Sequence, residues 1–478
     1  MPVVHTQLNG GGSSTSVMEV EMEPVYMSPL SSKDGPAAGV PVRGSSHRHR
    51  VGSAEDGGVA PEQGDRATEV AQRWNYPPKN VPRIGACFWS FVVMGANDAA
   101  YGPLIPYIQK HYDLTYVVVS LIFLSPFMGY TVAAFLNNSI HLSMGQRGVA
   151  FLSSGCHLLA YIIIAVHPPY PVLVITFILA GFGNGIADAA WNAWIGSMAH
   201  ANEILGFLHG VYGAGAVLSP LIATTMITKG HLPWYAFYYL MIGMAGLEIL
   251  ASVTCFWSAT GREYRDSLAR HYSGDNDHSI KSSLKEALMT RPGARVTWLC
   301  ALFLLGYVGL EVALGGWIVE FMIQVRQGEP FASGMTATGF WLGLTIGRVV
   351  LGFVTPRVGE KLAIMIYLPV TMGLELLFWL VPQFYVSAVA VGLQGFFIGP
   401  LFPAAIVAMS KLLPRHLHVG AIGFAAAFGG SGAAILPFAV GAIAQAKGVQ
   451  VLQPIILAFL VVIFLLWSGL PRMDKKKE

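Results

Sequence analysis

From Pro82 onward the chain alternates between long apolar runs and short polar breaks. The runs cover 84–108, 115–139, 149–167, 170–198, 203–228 and 233–257. After a polar stretch come 294–322, 331–355, 361–381, 384–411, 417–446 and 451–470. Each is about 20 residues or longer, the length a helix needs to cross the hydrocarbon layer of a bilayer. The pattern predicts an all-α membrane protein with about twelve transmembrane helices. The third run is short and ends at Pro168-Pro169, whereas the eleventh is long.

The breaks carry their charges unevenly. With the N terminus placed inside the cell, roughly 19 Lys and Arg fall on the inside segments and about 4 outside, and excess positive charge marks the cytoplasmic side. Arg262, Arg265, Arg270, Lys281, Lys285, Arg291 and Arg295 cluster between the sixth and seventh spans, and Lys475-Lys476-Lys477 closes the chain. Both termini are therefore expected in the cytoplasm. The expected organisation is a disordered cytoplasmic tail at 1–80, a six-helix bundle at 81–257 and a cytoplasmic loop at 258–293. A second six-helix bundle follows at 294–470, then a basic tail at 471–478.

Composition narrows the class further. Of the 478 residues, 54% are hydrophobic and 12% charged, against about 25% charged in soluble domains. The net charge of +3 gives no ground for nucleic-acid binding. Cys87, Cys156, Cys255 and Cys300 each lie inside an apolar run without a CxxC or Cys/His spacing, so they read as small packed hydrophobes. The first 80 residues, rich in Gly, Ser, Pro and scattered charge, hold too little apolar surface to offset chain entropy. No charged-then-apolar leader opens them. His47-Arg48-His49-Arg50 reads as part of a solvated basic tail that could touch anionic lipid.

The two six-span halves repeat. Gly213 to Pro220 in the fifth span and Gly430 to Pro437 in the eleventh both read G-x-G-x4-P. Glycines let helices approach closely, and a proline bends a membrane helix where neighbours satisfy the freed carbonyl. Aligning Gly102 with Gly315 sets Asp98 opposite Glu311, so each half has one acid in its first span, four residues before a glycine. Two halves related along the membrane normal make a transporter with its site at their interface.

After the eighth span the chain reads Gly352-Phe353-Val354-Thr355-Pro356-Arg357-Val358-Gly359-Glu360-Lys361. This resembles the G-x-x-x-D-R-x-G-R-R signature of the major facilitator superfamily, with Pro356 at the acid position. The first-half copy keeps only Gly145-Gln146-Arg147, with Asn138 and Leu142 at the glycine and acid positions. Within that superfamily the chain is most similar to the fucose/glucose proton symporter family and its fungal branch, over 84–470. The stretches that carry this are Asn97-Asp98, Gly181-Phe182-Gly183 through Asp188 and Asn192, Leu208-His209-Gly210 with Tyr212-Gly213, and Glu311 to Trp317. The resemblance implies proton coupling and substrate binding at the positions of Asp98 and Asp188, and a sugar or sugar-like polyol as substrate.

The residues themselves supply the candidates. Charge at bilayer depth costs several kcal/mol, so such groups face a cavity or a partner. Gly181, Gly185, Asp188 and Asn192 fall on one helix face, and no Lys or Arg shares their span. Asp98 shares a stripe with Phe91, Gly95 and Gly102, beside Asn97. Proton coupling is assigned to Asp98, Asp188, Glu311 and His209, the last by its ordinary titration near neutrality, although a lone His among glycines also suits interhelical packing. Substrate contacts are assigned to Asn97, Asn192, Trp317 and Gln394, although Trp317 also suits an interfacial aromatic belt. Glu375 and Glu248 lie in spans nine and six, which support a bundle from outside. Arg348 is placed to snorkel or pair near the end of span eight.

These expectations describe a proton-driven importer of a small polar solute, acting as a monomer in the plasma membrane, with an internal membrane as the alternative. The proton gradient supplies the energy and no cofactor is needed. A proton-antiport exporter competes, but its fifth-span G-P-x-x-G-G is absent, since Leu221, Ile222, Ala223 and Thr224 follow the proline. A transport-dead nutrient sensor with the same fold is the other alternative. An enzyme is disfavoured, for neither HExxH nor a partnered GxSxG is present.

Overall fold

The computed structural model describes residues 72–271, 286–414 and 417–473, and these are almost entirely helical. The first half comprises α1 (Asn80–Tyr112), α2 (Leu121–Ala165), α3 (Tyr170–Gly196), α4 (Ala201–Thr228), α5 (Phe237–Cys255) and α6 (Gly261–His271). The second comprises α7 (Gly293–Gln324), α8 (Pro330–Val358), α9 (Glu360–Leu380) and α10 (Phe384–Ile398). It ends with α11 (Leu401–Leu412), α12 (His418–Lys447) and α13 (Leu452–Ser468).

Among the described residues, ten helices are long and apolar enough to cross a membrane. That number differs from twelve for two physical reasons. Spans two and three are one helical run, Tyr116–Ala165, whose only non-helical residue is Gly145 (φ 69, ψ −165). A side chain there would collide with Ala259 O and Thr260, so the kink needs glycine on both backbone and packing grounds. The first span is the 33-residue α1, where Asn97 and Asp98 dilute the apolar run. It is nonetheless largely buried, with Leu104, Ile105 and Ile108 fully covered.

Around the edges the chain departs from the expected segments. Residues 72–79, expected in the tail, are tied down: Ala199 N donates to Gln72 O at 2.9 Å and Asn80 Nδ2 to Arg73 O at 2.9 Å. The expected loop 258–293 opens with the helix α6, held to the α2 kink by Arg265 donating to Leu142 O at 2.5 Å. The remainder of the expected N-terminal tail, residues 272–285 and the Lys475–Lys477 cluster lie outside the described residues.

α1 packs on α4, and α7 packs on α12. In both pairs a glycine meets a carbonyl: a Cβ on Gly215 would strike Val92 O, and one on Gly432 would strike Leu305 O. These are equivalent contacts under the two sequence alignments, Gly102 with Gly315 and Gly213 with Gly430. Such close approaches strengthen helix packing where lipid offers no hydrophobic drive. Between the halves α1 meets α7, α4 meets α8 and α2 meets α12. The last two pairings exchange under the repeat, as a two-fold relation requires.

The face where α1 begins is called near, and the face where it ends far. Contacts joining the halves gather from mid-depth to the far face. Gly102 abuts Gly315, Thr224 abuts Gly334 and Ser120 abuts Gly441. Tyr116 binds twice at the far end, its N donating to Gln445 Oε1 at 2.9 Å and its hydroxyl to Glu320 Oε1 at 3.0 Å. Lys229 Nζ stands 4.6 Å from the Phe331 ring centroid.

Candidate functional site: acids at the crossing of α1 and α7

One turn on the near side of the Gly102–Gly315 crossing stand Asp98 and Glu311. Asp98 is half-buried and its carboxylate accepts from neutral groups. Asn97 Nδ2 donates to Oδ1 at 3.1 Å, Asn184 Nδ2 to Oδ1 at 3.2 Å, and the Tyr212 hydroxyl to Oδ2 at 3.0 Å. Asn97 is 1% exposed and also donates to the Tyr101 hydroxyl at 3.0 Å. α1, α3 and α4 each supply a donor, so the acid ties three helices together.

A second acid group lies on α3 and α4. Asn192 Nδ2 donates to Asp188 Oδ1 at 2.8 Å and to the Asp188 carbonyl at 2.9 Å. His209 Nε2 meets Asn192 Oδ1 at 3.2 Å and packs its ring edge-on against Phe91, centroids 5.7 Å apart. Because Asn192 gives its amide nitrogen to Asp188, its oxygen accepts from His209, which fixes Nε2 as the protonated nitrogen of the ring. Asp188 and Asn192 are half-buried and His209 is exposed, although all three lie within long helices. Asp188 and Asp98 are near enough to repel each other.

Glu311 differs from both. Arg348 Nη2 reaches both its oxygens at 3.0 Å, and the Tyr307 hydroxyl donates to Oε2. The glutamate side chain is 8% exposed and the arginine 24%. Arg348 therefore pairs inside the bundle. Three carboxyl groups and one guanidinium share this region, a balance that disfavours anions.

The structure thus brings Asn97, Asp98, Asp188, Asn192, His209 and Glu311 into one region between the halves. It places Trp317 and Gln394 elsewhere. Trp317 is 0% exposed, donates to Pro437 O at 2.8 Å, and lies between Tyr116 and Phe123 toward the far face. Gln394 is 0% exposed and donates to Glu375 Oε2 at 2.7 Å within the second half. A pocket of about 410 Å³ also opens at the far face between the ends of α1 and α7, with Lys110, Asp113 and Glu320 in its wall.

Sequence reasoning left Tyr212 and Asn184 without a role. Each had a readable signal: Tyr212 follows His209 by three residues on α4, and Asn184 precedes Asp188 by four on α3, so each shares a face with a candidate.

Comparison with known proteins fits this geometry. The Major Facilitator Superfamily pattern matches residues 87–335 and 314–478. "Bypass of stop codon protein 6" of Saccharomyces cerevisiae is 31% identical over 436 residues, covering 87% of this chain and 88% of its own. The "Glucose/mannose transporter GlcP" of Bacillus subtilis is 21% identical over 357 residues, covering 73% and 85%. Among solved structures, a D-xylose-proton symporter superposes with a TM-score of 0.68 at 13% identity, covering 83% of this chain and 99% of that one. FucP in its outward conformation gives 0.57 at 15% identity with the same coverages. Paired helical halves, a repeated glycine-carbonyl contact and buried polar groups at the interface are the features of a transporter working within a membrane, and this chain belongs to the Major Facilitator Superfamily.

Proposed function

We propose that the protein is a proton symporter for a small polar solute, a sugar or sugar-like polyol, with twelve membrane crossings and both termini in the cytoplasm. α1 and the two legs of α2 supply the crossings beyond those read from length and apolarity alone. The observation that carries the proposal is the shell of Asp98. An acid at bilayer depth is bound by two amides and a phenol, with its charge balanced by none of them. Buried without a bonded cation, such a group gains from taking up a proton, although its three donors favour the charged form. Asp188, which repels it, adds to that gain.

The cycle follows from this placement. The halves meet at the far face, so a solute enters once they have rocked about the α1–α7 crossing and the Tyr116–Glu320 contact there has parted, and it bonds with Asn192 and the neighbouring amides. A proton on Asp98 or Asp188 removes the charge that opposes closing a dry chamber. The halves then close again at the far face and part at the near, cytoplasmic face, where solute and proton leave. The names of the similar glucose/mannose transporter and D-xylose-proton symporter support a sugar.

The test is uptake into proteoliposomes with an imposed pH gradient across a panel of sugars and polyols, with Asp188→Asn as the matched variant. Wild-type protein should accumulate at least one panel member, and Asp188→Asn should only equilibrate it. Accumulation by the variant sinks the coupling assignment. A panel without a substrate sinks the sugar assignment.

A further inference from the structure

One buried ionisable pair takes no part in that cycle. His157 on α2 and Glu248 on α5 are both 0% exposed, with His157 Nδ1 and Glu248 Oε2 at 2.9 Å. Ser90 on α1 donates to the other carboxylate oxygen at 2.7 Å. A carboxylate only accepts, so Nδ1 is the donor. The opposite ring nitrogen, Nε2, faces α3, lying 2.9 Å from where a Cβ on Gly183 would stand.

The next residue on α3 is Asn184, whose Nδ2 donates to Asp98 Oδ1. Its oxygen and His157 Nε2 are both buried, and neither has a hydrogen-bond partner among the described residues. The two interact across the α2–α3 contact from beyond hydrogen-bond distance. An amide oxygen accepts and never donates. Asn184 therefore satisfies both neighbours only when Nε2 carries a hydrogen, that is, when His157 is the imidazolium partner of Glu248. With a neutral ring, Nε2 and Oδ1 would be two acceptors face to face. The amide would then gain by turning over, and it would offer Asp98 an oxygen, which only a protonated acid can meet.

We propose that His157, held by Glu248 and Ser90, is a positioning residue for Asp98: it fixes the Asn184 amide so that its N–H groups face the carboxylate, and thereby sets how readily Asp98 takes a proton. The inference rests on the reading of Asp98 as a proton-binding acid. The other ionisable neighbours of His157 are Asp98 on α1 and Tyr161, stacked on the ring at 6.0 Å; Tyr161 in turn neighbours Tyr101 on α1 and Tyr238 on α5, the latter at 5.9 Å.

The experiment is an infrared titration of carboxyl C=O bands in protein reconstituted into liposomes, with Asp98→Asn marking the Asp98 band. In His157→Gln the midpoint of that band should move to higher pH by about one unit or more, a tenfold gain in proton affinity. Glu248→Gln, which keeps the ring but removes its counter-charge, should shift it the same way and serves if His157→Gln is not monodisperse. In an Asn184→Ala background the effect of His157→Gln should shrink at least threefold, which a purely structural or through-space role would not produce. An unmoved midpoint, or an equal shift without Asn184, overturns the positioning role while leaving Asp98 as the acid. A spectrum in which Asp98→Asn removes no titrating band overturns both.

Discussion

Asp98 and Glu311 occupy matching turns of matching helices, yet the two halves treat them differently. The register is secured by the equivalent approaches of Gly215 to Val92 and Gly432 to Leu305. On α1 the acid meets two amides and a phenol. On α7 it meets a guanidinium at 3.0 Å. An acid already balanced by a fixed cation gains little from a proton, whereas one buried with no bonded cation gains more, even against donors that favour its charged form. Under the proposed function, the same fold position is a proton-loading site in one half and an anchor in the other.

The strongest way to break this contrast is Asp98→Asn. The amide keeps the size and most hydrogen bonds but cannot change charge. A membrane potential of 100 mV is worth about 2.3 kcal/mol per proton, or roughly 50-fold accumulation for one proton per solute. Asp98→Asn should lose all of that accumulation while still exchanging labelled for unlabelled solute in counterflow. Retained accumulation would erase the difference between the two acids.

The contrast sharpens at the other acid. Arg348→Met strips Glu311 of its cation in a site where the glutamate side chain is 8% exposed. Breaking such a buried pair costs about 3–5 kcal/mol, because one charge is left without compensation. Replacing both charges at once, in Glu311→Gln with Arg348→Met, should recover most of the loss. Equilibrium unfolding in mixed micelles reads this directly. Equal stability of the single and double variants would mean that the pair does not anchor the second half.

Much of this architecture is legible in the chain. The apolar runs give the helices, and the repeated G-x-G-x4-P gives the correspondence of α4 with α12, because close packing in lipid demands small residues at fixed register. Asp98, Asp188 and Asn192 are legible because lipid makes charge and amides conspicuous. What escapes is whatever depends on a partner distant in sequence. Gln394 and Glu375 are 19 residues apart and His157 and Glu248 are 91, and neither pairing leaves a periodic trace. Length and apolarity give ten spans among the described residues and not twelve, because a helix buried among its neighbours can carry Asn97 and Asp98, and a kink at one glycine can replace a polar loop.

The smallest expected effect concerns Trp317, which sequence reasoning assigned to substrate. Its ring is fully covered and its indole N–H donates to Pro437 O at 2.8 Å, beside Gly441, where a Cβ would stand 2.8 Å from the ring. Trp317→Phe keeps an aromatic plane against Tyr116 and Phe123 but removes the donor, so the Pro437 carbonyl, inside helix α12, loses its side-chain partner at a cost of about 0.5–1.5 kcal/mol. Since that bond joins α7 to α12 within the second half, the loss should appear as modestly lower stability with unchanged apparent affinity. Glu311 is the fitting comparison on the same helix: both residues face the first half, Glu311 on the near side of the Gly102–Gly315 crossing and Trp317 beyond it, packed against Tyr116 and Phe123. A rise in apparent KM of tenfold or more in Trp317→Phe, at unaltered unfolding, would instead carry the solute-binding region past the crossing toward the far face.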